Sequence, residues 1–340
     1  MAARLEVKTV LETSYTLAGR RLSFEADDEW AALVVQTYLN GFQLKLSESG
    51  LSPAPDFRVR LLAEDPPPVP PSLQKFDLAP EGHCFTDGER YYLDIDDSHI
   101  AVGTRSSREM SVWLGRTPHA RRPLSLVSVM SCALHIALRR CALYDLHAAG
   151  LVEPETGAGV LFLGDSNSGK TSLTLRLTRS GWSYLSDDLL VFYEGAEAIE
   201  ARGLRRVFSV SASNLVNCDL PRIEEALGVP GLRDPNKRRL EPSVVFPERL
   251  AESCVPRALY FASITGERKS RIEEVGQSDA LIRLVRLCPW ASFDVMAREN
   301  LRVLSRLVRQ TKIYNLLAGR DVFDDPDCAA ALFASRAAAA

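Results

Sequence analysis

The chain has 340 residues, and 41 Lys and Arg stand against 44 Asp and Glu, a formal charge of −3. So balanced a chain sets up no broad positive field for nucleic acid or an anionic membrane surface. The seven cysteines, at 84, 132, 141, 218, 254, 288 and 328, form no CxxC pair, which argues against a zinc ribbon or a dithiol redox centre and for reduced thiols in a cytoplasmic protein. The N-terminal Met1–Glu6 does not open a long apolar run of the signal-peptide kind, and no stretch of about 18 uncharged apolar residues predicts a spanning helix.

In chain order, Arg21–Phe24 and Phe57–Leu62 read as strands, and Glu29–Leu39 reads as an amphipathic helix with Trp30, Leu33, Val34 and Tyr38 at helical spacing. Asp65–Pro71 carries too much proline for helix or central strand. Arg90–Ile95 and Ile100–Gly103 flank the turn Asp96-Asp97-Ser98, the pattern of a hairpin. Leu124–Tyr144 is predicted helical from Val127, Met130, Leu134, Leu138 and Cys141, with His135 on the same helix in a structural role. Leu146–Val152 reads as one short strand, and Val160–Leu163 as a buried central one. A helix is expected from about Gly169 to Gly181. Trp182–Tyr193 is strand-like but broken at Asp187-Asp188, with Trp182 and Trp290 expected to serve packing. The stretch 208–260 is expected to be rich in loops, with a basic turn at Asp234–Arg239. Leu259–Ala262 and Lys312–Leu317 read as strands, and Asp279–Arg286 and Val295–Val308 as helices.

Gly164-Asp165-Ser166-Asn167-Ser168-Gly169-Lys170-Thr171 fits G-x-x-x-x-G-K-[ST] at every restricted position. The glycines allow several backbone N–H groups to converge on one phosphate, and the helix that follows adds its positive end. Lys170 supplies a mobile charge for β- and γ-phosphates, and the Thr171 hydroxyl suits magnesium. An apolar strand before the motif and the pair Leu173 and Leu177 after it supply the required strand–loop–helix context. Asp187 and Asp188 follow the loop by some sixteen residues. On a strand edge they would face opposite sides, one toward an acceptor hydroxyl and the other toward metal, although such pairs also occur in solvated turns.

Leu146-His147-Ala148-Ala149-Gly150, the phosphate loop and Leu185-Ser186-Asp187-Asp188, in this order and spacing, resemble the catalytic domain of the HPr kinase/phosphorylase family over about residues 144–265, or as far as 320. The resemblance implies an α/β fold: a mixed-sheet phosphate-loop domain of the HPr kinase and phosphoenolpyruvate carboxykinase type at 123–340, preceded by an α+β accessory domain at 1–122. It implies Asp187 as base toward a serine hydroxyl, His147 beside it, Asp188 as a further catalytic group and metal ligand, and Thr171 on magnesium. ATP and Mg2+ are the implied cofactors, and a protein or peptide with an acceptor serine the implied partner; a homo-oligomer is compatible with the sequence. Lys237 and Arg238, with Arg239, offer a phosphate clamp or else a solvated basic turn. The segment Glu200–Arg205 resembles a shortened form of the family's E-x-R-G-x-G element, lacking its last glycine. The expected function is an ATP- and magnesium-dependent serine kinase. The competing readings are a bifunctional kinase/phosphorylase and a nucleotide-binding regulator without catalysis.

Overall fold

The computed structural model describes residues 10–47, 54–77, 82–104, 106–205, 207–215, 220, 222–231, 234–288 and 296–337. The described residues through Leu143, with 296–298, form one compact unit, and the remainder form a second, which holds the helix Ala297–Gln310 from Glu299 onward.

In the first unit, β1 (Leu11–Leu17), β2 (Arg20–Ala26), α1 (Glu29–Leu39), β3 (Lys45–Leu46), β4 (Phe57–Leu62), β5 (Gln74–Asp77), β6 (His83–Thr86), β7 (Tyr91–Ile95), β8 (Ser98–Val102) and β9 (Glu109–Trp113) precede α2 (Pro123–Arg140). The strands form one mixed sheet in the order β3-β1-β2-β4-β9-β8-β7-β6-β5. Asp28 caps α1 by accepting the Ala31 N–H at 2.6 Å. The expected hairpin is present: Asp96 and Asp97 take positive φ between β7 and β8, as a tight turn requires. Helix α2 packs on β4, β7, β8 and α1, so its apolar stripe is covered within this unit. The two compact units of the described chain meet after α2, at 143/144.

The second unit runs β10 (Tyr144–His147), β11 (Ala149–Val152), β12 (Gly159–Leu163), α3 (Lys170–Arg179), β13 (Ser183–Ser186), β14 (Leu189–Glu194), β15 (Ile199–Gly203), β16 (Phe208–Ser211), the single turns α4 (Ala212–Leu215) and α5 (Ile223–Ala226), β17 (Leu227–Pro230), β18 (Lys237–Leu240), α6 (Pro242–Val245), β19 (Ser253–Cys254), β20 (Pro256–Ile264), β21 (Arg271–Glu274), α7 (Gln277–Arg286), α8 (Ala297–Gln310), β22 (Lys312–Ala318), α9 (Asp321–Asp324) and α10 (Pro326–Ala337). Its six-stranded sheet has the order β13-β11-β12-β20-β22-β21, and β12, β20 and β22 are parallel. One face is dry: Leu173 and Leu177 of α3 and Phe333 of α10 pack on Val160, Phe162, Tyr260 and Tyr314, together with Trp182. Trp182 is therefore a packing residue, while Trp290 lies outside the described residues.

A second sheet has the order β10-β14-β15-β19. The run Leu146–Val152, expected as one strand, is thus two strands in two sheets, and the same is true of the run through Asp187-Asp188. β10 pairs with β14 in one sheet and β11 with β13 in the other. Both chain segments change sheet at the same level, between His147 and Ala149 and between Ser186 and Leu189. The stretch 208–260 also holds more than loop. β16, β18 and β17 form a three-stranded sheet whose Phe208, Val210 and Leu240 pack on Leu175 of α3 and on Tyr184. Among the described residues no helix is long and apolar enough to cross a membrane, and no group of three or more His, Cys, Asp or Glu is placed to hold a metal ion.

Candidate functional site

The loop 164–169 joins the end of β12 to α3 at the carboxyl edge of the parallel strands, where open α/β sheets leave a crevice. Gly164 takes φ +143°, and a Cβ there would lie 2.7 Å from the Ala262 carbonyl oxygen and 2.8 Å from Ser168 Oγ. No side chain fits that gap, so the backbone alone can fold into it. Asn167 also takes positive φ, at 67°, in a region asparagine tolerates. Lys170 is buried, and its Nζ donates to the carbonyl oxygens of Gly164 at 2.7 Å and Asp165 at 3.0 Å. Burial pulls its pKa down, opposed by Asp187, Asp188 and Asp165.

Asp187 is only 3% exposed. Its Oδ2 accepts from the Thr171 hydroxyl at 2.9 Å and the Ser209 N–H at 3.2 Å, and its Oδ1 accepts from the Thr174 hydroxyl at 3.0 Å. Desolvation outweighs these donors and raises its pKa to about 6. Asp188 lies beyond the end of β13, its side chain one-third exposed. His147 Nδ1 is 2.9 Å from its Oδ1, and Arg205 Nη1 donates to its Oδ2 at 3.1 Å. Burial pushes this carboxyl up, but the hydrogen bond and charge of His147, with Arg205 and Lys170, outweigh it and hold the pKa at about 2. The sheet change explains the pairing. His147 is the last residue of β10, opposite Leu189 of β14, so Asp188 is delivered one residue away from its register partner. The two neighbouring carboxylates therefore occupy different environments: one is clasped by the loop helix, the other faces outward between a histidine and an arginine.

Arg205 carries a role that sequence reasoning missed. Ser186 Oγ, donating to the Leu189 or Arg205 carbonyl oxygen at 3.0 and 2.6 Å, ties the end of β13 to the chain at 205. Gly203 permits that approach, since a Cβ there would lie 2.2 Å from the Leu185 carbonyl oxygen. The Gly203-x-Arg205 spacing is the signal that was available. The rest of this segment is engaged elsewhere: Glu200 accepts from the Tyr193 hydroxyl at 2.8 Å, and Arg202 pairs with Glu252 at 2.9 Å.

The basic strand β18 divides by pleat. Lys237 and Arg239 share one face with Ser211 and Ser209, their partners on β16, and Lys237 is close enough to weigh on the charge of Lys170. Arg238 shares its face with buried Leu240 instead, and its guanidinium donates to the carbonyl oxygens of Gly228 at 2.9 Å and Leu227 at 3.5 Å. The clamp expected of Lys237 and Arg238 is thus split: Lys237 lies toward the loop, Arg238 braces β17, and Arg239 is the residue that shares the face of Lys237.

Chemically, the loop, the Lys170 ammonium and the positive end of a ten-residue helix can hold a chain of phosphates. The cradle at Gly164 and the buried Ser168 Oγ, which has no hydrogen-bond partner among the described residues, fit such a group. Thr171 and Asp187 form an oxygen pair suited to a hard divalent cation.

No protein-family model matches the chain, and no curated protein matches it. Among solved structures, it is similar to the Hpr(Ser) kinase/phosphatase from Coxiella burnetii at 13% identity and a TM-score of 0.29, over 56% of this chain and 95% of that one. With so loose a superposition, the roles that follow rest on the residues of this chain.

Proposed function

We propose that the second unit is an ATP- and magnesium-dependent kinase that phosphorylates a serine hydroxyl of a protein or peptide. The observation that carries this reading is the clasp between the Thr171 hydroxyl and the buried Asp187 carboxylate at 2.9 Å, which joins the phosphate loop to an acidic pair. A bare anion site needs no such carboxylate; a magnesium-nucleotide site does. Gly164–Lys170 hold the β- and γ-phosphates, with Lys170 exchanging the loop carbonyls for phosphate oxygens. Thr171 and Asp187 hold magnesium, which when bound neutralises charge on the transferring phosphoryl group.

The proposed roles of the two carboxylates are the reverse of those the resemblance implies. Asp187 has both oxygens filled by three donors and is closed to solvent, so it serves the metal and not the acceptor. Asp188 faces outward and orients His147 through Nδ1, leaving the other ring nitrogen of a half-exposed imidazole to take the acceptor's proton. Arg205 fixes the second oxygen of Asp188. Phosphoryl transfer asks mainly for positioning and charge stabilisation, and these residues supply both. The serine acceptor is what the family resemblance of the motifs implies.

The test is phosphate transfer from radiolabelled ATP to a panel of seryl peptides by the full chain. Asp188→Asn and His147→Gln are each expected to lose about 10²–10⁴-fold in turnover with ATP affinity kept. Lys170→Ala is expected to lose ATP affinity by at least about tenfold. Transfer at the parental rate by Asp188→Asn and His147→Gln would refute the assignment.

A further inference from the structure

The acidic pair flanks one side of the phosphate loop; a cleft of about 500 Å³ flanks the other. The strand order explains the arrangement. β12, which carries the loop, has β11 and β13 on one side, leading to His147 and Asp187, and β20 on the other. The cleft is walled by the loop residues 164–168, by Phe261 and Ile264 at the end of β20, and by Arg283, Arg286 and Leu287 at the end of α7.

Its chemistry is unlike that of the acidic side. The Arg283 guanidinium sits 5.2 Å from the centroid of the Phe261 ring, and its Nη1 donates to Asn315 Oδ1 at 2.6 Å. One face of the guanidinium is thereby backed and its orientation pinned, leaving a planar cationic platform of the kind that stacks on aromatic rings. Ile264 is 53% exposed beside the loop, an apolar side chain left in solvent within the cleft wall. Arg286 is exposed and has no ion-pair partner among the described residues. A planar base with a polar sugar fits this combination: a stacking platform, apolar edges and a free cation at the mouth.

Taking the loop as the phosphate site proposed above, we propose that this cleft receives the base and sugar of the nucleotide, with Arg283 as the stacking platform, Ile264 and Leu287 as the apolar edges, and Arg286 at the sugar. The phosphate chain then lies across the loop with its reactive end toward Asp188 and His147. Nucleotide binding and acceptor binding fall on opposite sides of β12.

The experiment compares magnesium-ATP with magnesium and inorganic triphosphate, titrated calorimetrically into the full chain. The parent is expected to bind ATP more tightly than triphosphate. Arg283→Leu, which keeps the aliphatic bulk, and Ile264→Asn, at an exposed position, are each expected to lower the ratio of ATP to triphosphate affinity roughly tenfold, the scale of one lost stacking contact. A photoreactive azido-adenine nucleotide is expected to label peptides spanning 261–264 or 283–287. Unchanged ratios in both variants, or labelling confined to other segments, would overturn the pocket. Failure of the loop reading is separately visible: Lys170→Ala would then bind triphosphate as tightly as the parent does.

Discussion

The Asp187→Asn substitution separates stability from function in a way that can be worked from the structure. The carboxyl titrates near 3.8 when solvated and at about 6 in the fold, because burial disfavours its charge more than three donors favour it. That rise corresponds to about 3 kcal/mol. The folded pKa is the raised one, so the native state holds the proton more tightly. The group's contribution to stability is full below about pH 4 and is lost as the pH climbs through about 6. Asparagine has the same shape. Its oxygen can accept from Thr171 and Ser209, and its amide can donate to Thr174, whose hydroxyl is then free to turn to the Lys170 carbonyl oxygen at 2.9 Å. No polar atom is orphaned, and the charge that burial penalises is gone. The stability of Asp187→Asn minus that of the parent is therefore expected to rise by about 3 kcal/mol between pH 4 and pH 8. Urea denaturation of the two proteins side by side measures this, with the midpoint of one and the same transition followed because the chain has two units. A difference that stays flat, or falls with pH, would refute the buried-carboxylate argument. The same variant is expected to bind ATP with much weaker magnesium dependence, so the more stable protein is the poorer one.

Other consequences are open to direct measurement. Arg205→Ala removes a cation that, after the hydrogen bond and charge of His147, helps hold the Asp188 carboxyl low, and is expected to lower turnover while ATP affinity stays near parental, read by peptide phosphorylation beside an ATP titration. Gly203→Ala places a Cβ against the Leu185 carbonyl oxygen and is expected to cost at least about 2 kcal/mol of stability, read as a lower urea midpoint, and to reduce turnover by displacing Arg205. Neutralising Lys237 and Arg239 together is expected to weaken nucleotide or acceptor binding, whereas Arg238→Gln is expected to leave both as they are; titration of ATP and of a peptide substrate distinguishes the two faces of β18.

The strand–loop–helix was legible because its signals are local: an unbroken apolar run, fixed glycines and a helical Leu173–Leu177 pair that the structure buries. What the sequence hid is tertiary. Leu146–Val152 has no proline and only His147 and Gly150 as interruptions around its sheet change, too little to break a seven-residue run that otherwise reads as one strand. The small sheet of β16, β17 and β18 has strands of four residues, too short for alternation to declare itself against the basic turn. Arg205 and Arg283 gain their positions from contacts across 17 and 32 residues, and no spacing rule ties such residues to a motif. The acidic pair could be located in the sequence, but the environment that distinguishes its two members comes from Thr171, Thr174 and His147, which only the fold brings together.

The double change of sheet also sets how this site tolerates insertions and deletions. A residue gained or lost between His147 and Gly150 would have to be absorbed by slipping β10 against β14 or β11 against β13, and a slip of one reverses which side chains face inward. Either slip would part His147 from Asp188 or bury a polar residue. The short segments through 147–150 and 186–189 are therefore expected to be length-locked, while the turn at 154–157, whose Gly157 has open space where a Cβ would stand, can take up extra residues without disturbing the loop or the pair it faces.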